Sequence, residues 1–175
     1  MSPVPTSLEV YLVRHAVAAE RGPEYPDDAR RPLTPEGLSR FREAVRGLRA
    51  LGVTVDLVLT SPYVRARETA EVLRAGLKPA PRVVVVDALV PGTRPADVMA
   101  AVQARAGAGR GVERVALVGH EPDLGELAAR WLGAKAAVPF KKGAVLRLDL
   151  DRALPAGPAT LRWFLPPRVL RGLAR

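Results

Sequence analysis

Residues 8–16 read Leu-Glu-Val-Tyr-Leu-Val-Arg-His-Ala. Leu8–Val13 is a short run of strand-forming residues, and the chain leaves it directly into a cation and an imidazole. The same arrangement returns late in the chain, where Glu113–Val118 (ERVALV) is followed by Gly119 and His120. Between them, Asp56–Thr60 (DLVLT) runs into Ser61-Pro62-Tyr63-Val64-Arg65. Strand-like runs of this kind, separated by segments of helical periodicity, predict an α/β fold: a mostly parallel central sheet flanked by helices.

The helical segments follow from their spacing. Thr34 reads as an N-cap and Pro35 as the first helical residue, where a missing N–H costs nothing. Leu38, Phe41, Val45 and Leu48 then form one buried stripe, with Arg40, Arg42, Arg46 and Arg49 off it and Gly52 as the stop. A second helix, after Ser61-Pro62, is expected to bury Tyr63, Ala66, Ala70 and Leu73. Val83–Val86 reads as a third strand, apolar on both faces and therefore expected at a central parallel position. A Pro91-Gly92 turn precedes a helix over 96–106, and Pro122–Leu132 forms another, with Leu124, Leu127, Ala128, Trp131 and Leu132 on one face. Ala144–Leu150 and Ala159–Leu165 complete the strands, and the basic last ten residues are expected to dock as a short helix or to fray. The glycine cluster at 107–111 ends a helix and precedes a strand, so it reads as a connection and not as a dinucleotide fingerprint. Walker A and nucleophile-elbow sequences do not occur.

Composition bounds the rest. The 175 residues suit one domain, 1–175, with 48% hydrophobic and 26% charged residues, which excludes a disordered or collagen-like chain. No apolar run reaches the roughly 18–20 residues of a membrane span, so no membrane partner is expected. The opening MSPVPTS has no basic segment followed by an apolar one, so no secretion signal is read. With zero cysteines, disulfides, cysteine zinc sites and a thiol nucleophile are excluded, and a cytoplasmic address is the expectation. The net charge is +9, and all but four of the 27 cations are arginine. Such a balance favours anionic partners. The arginines are spread along the chain, however, and only 5% of residues are aromatic, so there is no base-stacking stripe and nucleic acid is not the expected ligand.

The chemistry concentrates at strand ends. The chain has two histidines, His15 and His120, each just beyond a predicted strand, and Arg65 falls in the first turn of a helix that leaves a third strand. Ligands of open parallel sheets bind outside the carboxyl ends of the strands, so both imidazoles are expected at one edge. Arg65 and Arg67 lie about 200° apart on a helix, so only one of them faces the site. Two guanidinium groups match the tetrahedral oxygens of a phosphoryl group. Positive charge beside an imidazole keeps it neutral and nucleophilic. A second imidazole can stabilise charge during transfer, which needs no metal. Covalent transfer through a phosphohistidine is the preferred chemistry, with no cofactor and no metal expected.

These residues also carry a resemblance. LVRHA at 12–16, SPYVRARETA at 61–70 and VGHEPDL at 118–124 resemble the histidine phosphatase superfamily, also called phosphoglycerate-mutase-like. RPLTPEG at 31–37 and DALVPG at 87–92 are similar to its SixA-type phosphohistidine phosphatases. The resemblance implies a phosphoglycerate-mutase-like three-layer sandwich. It implies His15 as the phosphorylated nucleophile, Arg14 and Arg65 as phosphate ligands and His120 as the second histidine. Arg31 is a further candidate substrate contact, with a structural role as the alternative. Ala16 stands where many members have glycine, and Val17 where SixA-like sequences often carry a polar or acidic residue. Glu20, Asp87, Glu121 and Asp123 are the nearby carboxylates. Asp87 and Glu121, next to predicted strand ends, are the candidate general acids.

The implied activity is a metal-independent phosphatase, acting on phosphohistidine in proteins. A leaving imidazole, whose conjugate acid has a pKa of about 6.5, needs less help from an acid than an alkoxide does. The alternatives are a phosphatase for a small phosphorylated metabolite or a non-catalytic phosphate-binding module. A mutase would want long insertions to enclose its substrate, which the chain lacks. Oligomeric state stays open.

Overall fold

A computed structural model describes residues 6–107, 109–153 and 155–174. The opening MSPVP, on which the absence of a leader was judged, and the final Arg175 lie outside the described residues. Six strands form one sheet: β1 (Ser7–Arg14), β2 (Leu57–Thr60), β3 (Arg82–Val85), β4 (Arg114–Gly119), β5 (Val145–Asp151) and β6 (Thr160–Leu165). Their order is β3-β2-β4-β1-β5-β6, with the first four parallel and β5 antiparallel to both β1 and β6.

Helices cover both faces, which makes the molecule a three-layer sandwich. The pleat of β1 separates the two cores: Val10 and Leu12 point to one side, Tyr11 and Val13 to the other. The first pair packs with Val98 and Val102 of α3 (Pro95–Ala106) and with Leu124, Leu127 and Trp131 of α4 (Asp123–Leu132). The second pair packs with Phe41, Val45 and Leu48 of α1 (Pro35–Ala50) and with Ala66, Ala70 and Leu73 of α2 (Val64–Gly76). Thr34 caps α1 as expected, its Oγ1 accepting the Gly37 N–H at 2.9 Å.

The basic C-terminal segment docks. Its short helix α5 (Pro167–Gly172) buries Leu170 against α1. Gly47 permits this approach, because a Cβ there would overlap the Leu170 carbonyl oxygen. Of the glycine cluster, Gly107 caps α3, and Gly109 and Gly111 turn the chain with positive φ towards β4, as a connection does.

Three expectations need correction. The third strand is not central: β3 is the sheet's outer strand, paired on one side only, and Val85 is 46% exposed. An apolar run indicates lateral burial without revealing what lies on the other side. Tyr63 is not a core residue of α2. It precedes the helix, half-buried, with its ring against His120 at 5.2 Å. Leu38 and Leu132 are likewise only half-buried at the margins of their stripes.

Candidate active site

Strand register assembles the site. β4 lies between β1 and β2, so the ends of all three meet: Arg14 pairs with Gly119, and Thr60 with Val118. The next residue along each strand is His15, His120 or Ser61. The backbone continues the pairing, with His15 N–H donating to Gly119 O and Ser61 N–H to Val118 O, each at 3.1 Å. The two imidazoles come together with centroids 5.2 Å apart, tilted by 55°. His15 is 5% exposed and His120 3%.

Hydrogen bonds fix the state of His15. Its Nδ1 lies 2.7 Å from Ala16 O, an atom that can only accept, so Nδ1 carries the ring proton. Nε2 is therefore unprotonated, and its lone pair accepts the Arg65 Nε–H at 3.2 Å. Burial, with Arg65, Arg14 and Lys142 nearby, lowers the His15 pKa to about 3. Burial also lowers that of His120 to about 3, with His15 and Arg65 adding to it. Sequence reasoning had assigned this neutrality to the arginines. Loss of water is the larger cause.

Arg65 is the inward-facing arginine of α2, 4% exposed, while Arg67 is exposed. Its Nη1 donates to Asp28 O at 2.7 Å and its Nη2 to Asp28 Oδ2 at 2.9 Å, and its guanidinium lies over the Tyr63 ring at 5.0 Å. Asp28, at the start of a single 3-10 turn over Asp28–Arg30, is the residue that sequence reasoning missed. Its other oxygen accepts Arg31 Nε and Nη2 at 2.8 and 2.7 Å. Burial raises the Asp28 pKa, but hydrogen bonds from Arg31 and Arg65 outweigh it and hold the carboxyl below the ordinary value. Arg31 thus reaches the site through Asp28, and its Nη1 donates to Ala19 O at 2.7 Å. The available signal was the acidic pair Asp27-Asp28 a few residues ahead of RPLT.

On the other side, Arg14 Nη1 donates to Phe140 O at 2.5 Å. That peptide is itself held, because Phe140 N–H donates to Glu121 Oε2 at 3.3 Å while Glu121 Oε1 accepts the Gly125 N–H at 3.0 Å. Burial raises the Glu121 pKa, against those two N–H groups and Arg14, which lower it. Asp123 accepts the Gly92 N–H at 3.0 Å. Asp87 is exposed where the chain leaves β3, and neither it nor Glu20 hydrogen-bonds to either histidine or to Arg14 or Arg65. Val17 is exposed, and its carbonyl accepts the Thr34 N–H at 3.0 Å.

Among the described residues, two buried side-chain polar atoms have no protein partner, and both lie here: Arg14 Nε and His120 Nδ1. His120 Nε2 sits 2.9 Å from Ser61 Oγ, which also accepts the Tyr63 N–H at 3.3 Å. Ser61 Oγ can donate its hydrogen to His120 Nε2, the tautomer that leaves the ring proton on the unpartnered Nδ1. The cluster then presents two unpaired N–H donors beside a neutral nucleophilic nitrogen, which suits an anion with several oxygens. No carboxylate among the described residues hydrogen-bonds to either imidazole. Among the described residues, no three of His, Cys, Asp and Glu gather into a metal-binding group, and no helix is long and apolar enough to cross a membrane.

A family model described as the histidine phosphatase superfamily (branch 1) matches residues 10–90. An uncharacterized protein of Picosynechococcus is 39% identical over 122 residues, 69% of this chain and 71% of that protein. The phosphohistidine phosphatase SixA of Escherichia coli (strain K12) is 29% identical over 164 residues, covering 94% of this chain and 97% of its own length. A solved structure of the protein histidine phosphatase SixA complexed with tungstate superposes with a TM-score of 0.81 at 28% identity. The superposition covers 93% of this chain and 99% of that one.

Proposed function

The chain belongs to the histidine phosphatase superfamily, and from that premise we propose that it is a phosphatase that hydrolyses phosphohistidine in proteins through a covalent intermediate on His15. The observation that carries the reading is the unprotonated Nε2 of His15, its lone pair met by the Arg65 guanidinium and its ring against a second imidazole.

In the first step Nε2 attacks phosphorus, an N–P bond forms to His15, and the N–P bond of the substrate breaks. The substrate imidazole departs with its electron pair and takes a proton. In the second step water attacks the phosphoryl group, returning the electron pair to Nε2 and releasing inorganic phosphate. The transferring group has little covalent help to receive, so catalysis rests on positioning and charge. Arg14 and Arg65 hold the nonbridging oxygens. The unpaired Nδ1–H of His120 donates to an oxygen as charge shifts onto it. The guanidinium groups supply positive charge without a metal ion.

The carboxylates support an activated substrate. Asp28 is tied to two arginines and kept ionised, and Glu121 spends both oxygens on backbone N–H groups. Neither is poised to give a proton to an alkoxide leaving group, which has far more need of one than imidazole. The SixA protein of E. coli carries the name phosphohistidine phosphatase, which supports the same substrate class here.

The test is phosphate release from a phosphohistidine-bearing protein domain, with His15→Ala alongside and acid-labile label sought on the enzyme. Release by the wild type alone, with label on His15, is expected. Undiminished release by His15→Ala would overturn the covalent step. A folded wild type that leaves phosphohistidine intact but cleaves small phosphate esters would overturn the substrate class.

A further inference from the structure

A concavity of about 1120 Å³ lies apart from both histidines. It is an open groove between α1, α2 and the outer strand β3. Its floor is aliphatic: Leu38 and Val45 from α1, Val72 from α2, Val83 and Val85 from β3. Val45 and Val72 are buried beneath it, while Leu38, Val83 and Val85 are partly uncovered beside the edge of the sheet. A concave aliphatic surface bordered by charge suits an amphipathic segment.

The border is basic. Arg42, Arg46 and Arg49 rise from α1, spaced as i, i+4 and i+7, and Arg67 faces them from α2. None has an ion-pair partner within 4.0 Å among the described residues. Two glutamates also line the groove, but both are engaged: Glu68 accepts the Leu33 N–H at 2.6 Å, and Glu71 pairs with Arg74 at 2.8 Å. Four free guanidinium groups over an aliphatic floor are complementary to a segment with one apolar and one acidic face. A second copy of this chain, at +9, brings the wrong charge, and a floor without aromatic rings offers bases nothing to stack on.

The groove also points towards the site. Thr60 and Val64 line one end, and they flank the Ser61–Tyr63 turn. Arg67 lies on the side of α2 opposite Arg65, so one helical turn serves both surfaces. We propose that this groove docks an acidic amphipathic helix of the protein whose phosphohistidine is hydrolysed at His15. The inference rests on the substrate reading above. It adds that affinity for the protein is held largely outside the site, in the manner of a helix laid in a hydrophobic groove.

The first readout is binding, which requires no turnover. The probe is a synthetic peptide with leucines at i, i+3, i+4 and i+7 and glutamates on the other face, beside a scramble of the same composition. Amide shifts confined to residues 38–49, 64–76 and 83–85 for the peptide, and absent for the scramble, are expected. Arg42→Glu/Arg46→Glu should weaken binding about tenfold or more and flatten its salt dependence. The milder Arg42→Gln/Arg46→Gln pair serves as a check on folding. Equal binding by the scramble, shifts elsewhere on the surface, or displacement by duplex DNA would overturn the proposal. The second readout is the ratio of kcat/KM for a phosphohistidine protein to that for a small phosphoramidate. A ratio lowered about tenfold in the variant supports docking, and an unchanged ratio overturns it. Peptide seated in the groove without any release from phosphohistidine protein would uphold the surface and overturn the substrate reading alone.

Discussion

Acid should destabilise this protein well before its carboxylates titrate. Both histidines ionise near 6.5 in an unfolded chain and near 3 in the folded one. Between those values the unfolded state binds more protons, so stability falls as pH falls, with a slope approaching about 1.4 kcal/mol per pH unit for each histidine. Integrated from pH 7 to pH 5, each contributes a loss of about 2 kcal/mol, or about 4 kcal/mol together, a large part of a typical domain's stability. The window is chosen to isolate them. Asp28, whose pKa is lowered, adds a loss of the same sign only once the pH enters the carboxylate range. Glu121 and Asp123, whose pKa values burial raises, act in the opposite sense there. The assay is urea unfolding at pH 7, 6 and 5 at constant ionic strength. His15→Asn and His120→Gln are measured in parallel. Each variant should retain about half of the pH sensitivity, whatever its stability at pH 7. A wild-type stability flat to within about 1 kcal/mol over this range would refute the claim that both rings are folded neutral. So would a full slope in both variants.

Other perturbations separate positioning from packing. Asp28→Asn removes the charge that fixes Arg65 and Arg31, so kcat/KM should fall about 10- to 100-fold with little change in Tm, and an unchanged rate would show that Arg65 needs no anchor. Gly125→Ala introduces a Cβ that overlaps Val138 O and crowds the Glu121 carboxylate, displacing the loop whose Phe140 carbonyl holds Arg14. Its cost should appear mainly in KM for the phosphorylated substrate, measured by steady-state kinetics. Gly47→Ala drives a Cβ into Leu170 O and should detach α5 at a cost of about 1–3 kcal/mol, visible as faster amide exchange over 167–172. Protection there equal to the wild type would mean that α5 does not depend on this contact.

Much of this site could be read along the chain because its chemistry sits where strands end. Leu8–Val13 and Glu113–Val118 are unambiguous β patterns, and a histidine after each reports the same edge once the strands are parallel. Helical rotation showed that only one of Arg65 and Arg67 faces the site, and the resemblance of the motif picked out Arg65. Asp28 could not be found that way. It lies in an irregular segment with no periodicity to mark its direction, and it matters only because the fold carries it against α2. The outer position of β3 was also hidden, since Val83–Val86 reads as apolar whichever sides are covered.

The sequence by itself therefore determined the local chemistry: the alternation of strands and helices, the two imidazoles, and the cations beside them. Those are properties of short stretches, set by side-chain periodicity and by which residues follow a strand. Only the tertiary structure decided the insertion of β4 between β1 and β2, which brings His15 and His120 to 5.2 Å. It also decided the Asp28 anchor on Arg65, the neutral state of the buried rings and the basic groove beside β3. Each depends on contacts between residues far apart in the chain, and on the water those contacts exclude, which no local pattern encodes.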